Sequence, residues 1–222
     1  MAFRPPPKIF EKVMRFKALK FEEGGALTLW GIPSFVIPLH TQIYLLKLIE
    51  KDCGAEEAKH IFYNLGKFQA KTGFDIINKR FGYAKTLEEK RRLLEFNTGQ
   101  TELLGLGAYK FVRMDFKNDV YVVVGNSPFA EGYKKFFGLQ KSPVDYFFAG
   151  ACAGAVQASI EKDVVAIEVK CMAQGHNQCE FMIKTRENWK NDPLSQKHSF
   201  FFRKAPSIQE LGSRLKQLLV LR

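Results

Sequence analysis

The apolar positions of this chain switch repeatedly between a helical spacing of three to four residues and a strand spacing of two. Ile9, Phe10, Val13, Phe16 and Leu19 predict an amphipathic helix over residues 8–20. FEEGG breaks it, and ALTLW and SFVIP then read as two short strands with a turn at Gly31-Ile32-Pro33. That hairpin can add to a sheet or to a partner subunit. His40 to Glu50 is apolar on one face and stops at Asp52-Cys53-Gly54, with the glycine as a C-cap. Residues 55–81 form a long helical stretch with Ile61, Phe62, Leu65, Phe68 and Phe74 as inward candidates. Gly66 and Gly73 within it mark a break or a close helix contact.

The second half begins after Gly82-Tyr83-Ala84-Lys85, the best boundary in the chain. Thr86 followed by Glu89 has the spacing of a capping box, which predicts a helix running to about Leu104. GAYKFVRMDF and VYVVVGN read as a hairpin turning at Lys117-Asn118-Asp119, followed by a short helix over 129–137. Pro143 suits the first turn of a helix over 143–160. Val164, Val165, Ile167 and Val169 then form one arm of a further hairpin, and FMIKT forms the other. A polar linker, 188–196, precedes a tail whose Ile208, Leu211, Leu215, Leu218 and Leu219 fall on one side of a predicted helix. That apolar stripe suits docking or self-association.

This order predicts an α+β fold, an antiparallel sheet with helices on one face. Three segments follow: an N-terminal one over 1–82, a central domain over 83–187, and a linker with a terminal helix over 188–222.

Bulk properties narrow the function classes. At 222 residues the chain has room for a sizeable core. Its 21 Phe against 2 Trp fit an interior rich in apolar surface. A formal net charge of +11 invites a nucleic-acid reading. Lys and Arg are scattered mostly singly, however, and no zinc finger, RNP signature or helix-turn-helix is visible, so a solvated basic surface is the better reading. No run reaches the roughly eighteen apolar residues of a membrane span. MAFRPPPKIF lacks the apolar core of a signal peptide. Cys53, Cys152, Cys171 and Cys179 are too dispersed for a secreted disulfide framework, so a reducing cytoplasm is the expected compartment.

The chemistry concentrates in EVKCMAQGHNQC, Glu168 to Cys179. It brings two thiols, a carboxylate and the His176 imidazole to one hairpin, types that zinc accepts in a tetrahedral shell. Small buried cysteines packing in a hairpin would give the same pattern. Nucleophile elbow, Walker loop and dinucleotide fingerprint are absent; Gly150-x-Cys152-x-Gly154 sits inside a predicted helix. Cys152 reads as a buried small residue on that helix.

GACAGAVQASIEKDVVAIEVKCMAQGHNQCEF, residues 150–181, resembles the 4-vinyl reductase domain family. That family joins a glycine/alanine helix to a strand ending Glu-x-x-Cys, with a second Cys eight residues later. The matching positions here are Gly150, Gly154, Glu168, Cys171, Gly175-His176 and Cys179. Upstream, FEEGGALTLWGIPSFVIPLH and the stretch on to TGFD are similar to the activator segment of aromatic-sensing bacterial regulators, and Asn126-Ser127 also fits.

The resemblance implies a homodimer, with the N-terminal helix/hairpin segment serving dimerisation, and a small-molecule pocket beside a structural zinc. Its ligand set would be Asp145, Glu168, Cys171 and Cys179, Asp145 standing where the sensors carry a further Cys. Asp145 reads equally as a first-turn carboxylate facing the helix dipole, with Cys152 or His176 as substitute ligands. The sensors' Trp two residues before Asn-Ser is here Val124, and the helix around Phe96 offers no His to hold a phenolic oxygen. A pocket lined by Phe96, Val122 and Val124 would therefore suit a hydrocarbon-like ligand; the same three residues would serve equally as plain core. The expectation is a stand-alone sensor, not an enzyme, that binds a small apolar molecule and signals to a regulatory protein partner. An accessory of tetrapyrrole vinyl reduction and a scaffold resembling vesicle-tethering proteins are the alternatives.

Overall fold

The structure, a computed structural model, describes residues 18–203. A small antiparallel sheet comes first: β1 (Leu19–Phe21), β2 (Leu27–Leu29) and β3 (Ile32–Ser34). Trp30 and Gly31, both at positive φ, make the β2–β3 turn, so Ile32 and Pro33 lie within a strand and not in the turn the sequence predicted. β3 is an edge strand, where a missing N–H is tolerated. The helix expected over 8–20 lies outside the described residues except at its end, where Leu19 and Lys20 already belong to β1. The terminal helix expected over 207–222 lies outside them entirely.

Helices α1 (Leu39–Cys53) and α2 (Ala55–Phe81) meet at Gly54, whose φ of 87° suits only glycine. α3 (Leu87–Leu103) starts with both hydrogen bonds of the predicted capping box between Thr86 and Glu89. The main sheet has the order β4-β5-β7-β6, every pair antiparallel: β4 (Ala108–Asp115), β5 (Val120–Asn126), β6 (Val164–Lys170) and β7 (Cys179–Thr185). Between β5 and β6 lie α4 (Pro128–Phe137) and α5 (Tyr146–Ile160). α5 begins three residues after Pro143, because the Asp145 side chain accepts from Phe148 N–H and so ends the loop there. The expected α+β arrangement holds.

The tightest packing is between α2 and α5. A side chain at Gly66 would overlap the Phe147 carbonyl, at Gly150 the Tyr63 carbonyl, and at Gly154 the Lys67 carbonyl. Backbone rests on backbone along this seam, an approach only glycine permits. The seam delivers Tyr63 and Lys67 to β6, the edge strand. Ala166 N–H donates to Tyr63 Oη at 3.0 Å, and Lys67 Nζ donates to the Val164 carbonyl at 3.3 Å. Edge groups that would otherwise be unpaired are satisfied. Five consecutive β6 residues, Val164 to Glu168, are buried as a result.

Because the small residues carry the contact, the large ones on α2 are poor guides. Phe62 and Phe74 are buried, but Ile61, Leu65 and Phe68 form a second, exposed stripe. The predicted linker 188–196 is also more structured than its polarity suggests. It contains parts of α6 (Arg186–Trp189) and α7 (Pro193–Lys197). Trp189 is fully buried, donating its indole N–H to the Val165 carbonyl at 2.9 Å. Beyond it, the Phe201 ring packs against Tyr63 at a tilt of 33° with centroids 4.5 Å apart, and the Phe200 carbonyl meets His60 Nδ1 at 3.0 Å. Among the described residues no helix is long and apolar enough to cross a membrane.

Two glycines on α2 and α5 test the seam. Gly150→Ala is expected to lower unfolding stability by about 1–3 kcal/mol through overpacking. Gly73→Ala, where an added Cβ meets nothing within 4 Å, should stabilise by about 0.5–1 kcal/mol. Urea unfolding of both variants checks this, and equal effects would mean that backbone contact is not what the glycines serve.

Candidate functional site

Glu168, Cys171 and Cys179 bring their donor atoms within 4.8 Å of one another, and all three are buried. Simple strand alternation would not do this, since residues three apart on a strand face opposite sides. The register shows the device. Glu168 stands opposite Phe181 and Lys170 opposite Glu180, so β6 carries an extra residue at Val169. This bulge reverses the alternation. Lys170 turns outward to pair with Glu180 at 2.8 Å, and Cys171 turns inward.

The chain then closes on itself. A single 3₁₀ turn (Met172–Gln174) is followed by Gly175 at φ 94°, and His176 N–H returns toward the Cys171 carbonyl at 3.4 Å. Met172 N–H donates to Cys179 Sγ at 3.4 Å, fixing one thiol over the other's loop. Gln140 N–H donates to the Ala173 carbonyl at 2.9 Å and ties the turn to the segment entering α5.

Burial dominates the electrostatics. It raises the Glu168 carboxyl well above its ordinary value, reinforced by the neighbouring Cys171 and Asp145. Contact with the Cys179 thiol holds Cys171 below the usual thiol value, while the same contact and burial push Cys179 up. Glu168 Oε2 accepts the Asp145 N–H at 2.9 Å, whereas Oε1 is buried with no hydrogen-bond partner among the described residues. Leaving such an acceptor unpaired costs about 1–3 kcal/mol. An unpartnered carboxylate oxygen beside two thiols fits a bound cation, and the two-sulfur, one-oxygen set fits zinc.

Asp145 is close by but turned away from this group. Its Oδ1 accepts from Phe148 N–H at 3.1 Å, and its Oδ2 accepts from Ser127 Oγ at 2.5 Å and from Tyr109 Oη at 3.5 Å. Burial raises it to about 6, against the pull of these donors. Its backbone, not its carboxylate, meets Glu168. Cys152 is buried on α5, its thiol raised by burial, and does not join the converging donors; His176 is exposed in the turn.

Tyr109 and Ser127 complete the arrangement. Tyr109 stacks on Phe148 with centroids 3.7 Å apart, in space that a side chain at Gly125 would fill. Ser127 caps α4 by accepting from Ala130 N–H at 3.0 Å, with Pro128 at N1. The Ser-Pro pair signals that cap in sequence; nothing in sequence marks Tyr109.

Of the three residues expected to line a pocket, Phe96 and Val124 are buried and Val122 is half-buried. Phe96 is fully buried in the core, with ring centroids 5.4 Å from Phe81 and 6.4 Å from Trp30. Val122 and Val124 alternate along β5 with Tyr121 and Val123, the pair that joins the main core cluster. The reason is the two-residue period: a slip of one position moves every side chain to the other face. Around Phe96 the polar atoms are unusual. Trp30 Nε1, Asn78 Oδ1 and Gln100 Oε1 are buried without a partner among the described residues. Asn78 lies one turn before Phe81 and Gln100 one turn after Phe96, so both amides flank the ring cluster.

The cap makes a measurable prediction. Asp145→Ala should lower stability by about 1–3 kcal/mol, losing the α5 cap and stranding the Ser127 hydroxyl. Asp145→Asn, whose single amide oxygen can still cap α5 while its NH2 turns to the Ser127 hydroxyl, should lose less than Asp145→Ala in the same denaturant titration. Equal losses would mean that the α5 cap, which both Asp and Asn can make, does not carry the effect.

Comparison with known proteins gives the same picture of the fold. The phenol-responsive sensory domain of the transcription activator PoxR, solved with phenol, superimposes with a TM-score of 0.75 at 17% identity, covering 91% of this chain and 100% of that one. A vinyl-4-reductase family protein from Methanocaldococcus jannaschii is 22% identical over 68% of this chain and 83% of its own, with a TM-score of 0.44. An uncharacterized protein of the same organism is 33% identical over 73 residues, 33% of this chain and 38% of that relative, so the match spans well under half of it. Residues 120–185, from β5 to the end of β7, match the V4R domain model. Glu168, Cys171 and Cys179 all fall inside this stretch that matches the V4R domain model.

Proposed function

We propose that this protein is a small-molecule-binding sensor domain whose core is clasped by a zinc ion at Glu168, Cys171 and Cys179, and that it is not an enzyme. The observation that carries the binding reading is the ring cluster of Trp30, Phe81 and Phe96 flanked by unpaired Asn78 Oδ1, Gln100 Oε1 and Trp30 Nε1. Buried polar atoms are nearly always paired, and a mostly apolar molecule with one hydroxyl would pair two of the three: it donates to one amide oxygen and accepts from the indole. The ligand class is thus apolar with a single polar group, somewhat more polar than a plain hydrocarbon. The V4R match and the shared fold with a phenol-responsive sensory domain support sensing over catalysis.

The zinc would be structural. It supplies a crosslink between the end of β6 and the start of β7, and Glu168, Cys171 and Cys179 would hold it. Occupancy would be passed to a protein partner. Self-association has its own support, because Phe21, Phe35 and Val36 are each about four-fifths exposed on the N-terminal hairpin and the segment after it. A homodimer formed through this region would cover them.

Native mass spectrometry and thermal shift test the reading together. Expected are a dimer, about one zinc per chain, and a melting rise with alkylphenols. Gln100→Leu removes an unpaired buried acceptor, so the free protein should melt as high as wild type or higher while the alkylphenol response is lost. A full response in Gln100→Leu would sink the proposed site.

A further inference from the structure

We propose that three side chains, Glu168, Cys171 and Cys179, hold the metal and that Asp145 acts from behind Glu168 as a positioning residue, leaving the fourth coordination position to a small exogenous donor such as water. This rests on the zinc reading above and departs from the four-side-chain set that the sequence resemblance implies.

The first ground is that Asp145 is fully engaged. Phe148 N–H occupies Oδ1, and the Ser127 hydroxyl occupies Oδ2 at 2.5 Å with Tyr109 at its flank. Swinging the carboxylate to a metal would strand the Ser127 hydroxyl, whose residue is 1% exposed, and the first turn of α5. Each buried donor left unpaired costs about 1–3 kcal/mol. The second ground lies on Glu168. Its Oε2 is held by the Asp145 N–H at 2.9 Å, and its buried Oε1 is the oxygen without a partner. One oxygen is anchored so that the other is aimed.

The third ground is the lack of a substitute. Among the described residues only Glu168, Cys171 and Cys179 form the converging group; Cys152 stands outside it and His176 is exposed. Zinc with three protein ligands keeps its fourth position for water or another single-atom donor, so the clasp would crosslink β6 and β7 as a structural site does and still leave one position open. The Ser127–Asp145–Glu168 chain is then an outer layer of the kind that orients metal ligands. It also joins the end of β5 to the clasp, so a movement of β5 would be felt at the metal.

The experiment uses the full chain loaded with Co²⁺ in place of zinc, its visible ligand-field bands recorded during an azide titration. The expected result is a saturable shift in the wild type. Asp145→Asn should bind cobalt about 10-fold more weakly, yet show the same bands and the same azide shift once loaded. An azide-insensitive wild type, or bands altered in Asp145→Asn, would make Asp145 or another side chain the fourth ligand and overturn the inference alone. Failure of the wild type to bind either metal would overturn the zinc reading as well. Urea unfolding of Asp145→Asn verifies that its fold is intact before its spectrum is compared.

Discussion

The glycine seam between α2 and α5 is the constraint on which the rest of the molecule depends. Gly66, Gly150 and Gly154 let two backbones touch, and no other residue type fits at those three points. From that contact Tyr63 and Lys67 reach the free edge of β6 and satisfy it. An edge strand with open N–H and carbonyl groups is a site for unwanted pairing; here the same strand is buried, which allows it to carry Glu168 inside the protein. The packing of two helices therefore sets the environment of a carboxylate on a strand.

The site itself depends on a local irregularity. The bulge at Val169 reverses the alternation of β6, so Glu168 and Cys171 face one side although three residues separate them. Burial raises Glu168, and contact with Cys171 together with burial raises Cys179, which disfavours their charged forms in the free protein. A cation would reverse that preference, because thiolate and carboxylate are the forms that bind metal. The cost of burying these groups and their affinity for a cation have the same origin.

Asp145 links this clasp to the remainder of the domain. It caps α5, takes the Ser127 hydroxyl at the end of β5, and presents its N–H to Glu168. Ser127 in turn caps α4. Two helix starts, one strand end and one candidate metal ligand thus meet at a single aspartate. Tyr109, stacked on Phe148, closes the group from β4.

Much of this was legible in the amino-acid sequence. α2 over 55–81, the Thr86 capping box, the β4–β5 hairpin and the pairing of Glu168 with Cys171 and Cys179 follow from periodicity, cap chemistry and motif spacing, which are local properties of the chain. Other features depend on what packs against what. Ile61, Leu65 and Phe68 look as inward as Phe62, and only the glycine contact with α5 decides which stripe of α2 is covered. Along β5 the sequence does not separate Tyr121 and Val123 from Val122 and Val124, and only the pairing of β5 with β7 sends the first two to the main core cluster. Trp189 sits in a polar stretch and is buried because the Val165 carbonyl and the β6 edge receive it. Asp145 is placed the same way: its carboxylate caps α5 and takes the Ser127 hydroxyl, contacts that residue type and spacing alone do not reveal. Residue type and spacing determined which groups could do chemistry. The register of the sheet, a bulge and the approach of two helices decided where those groups point, because each depends on contacts between segments far apart in the chain.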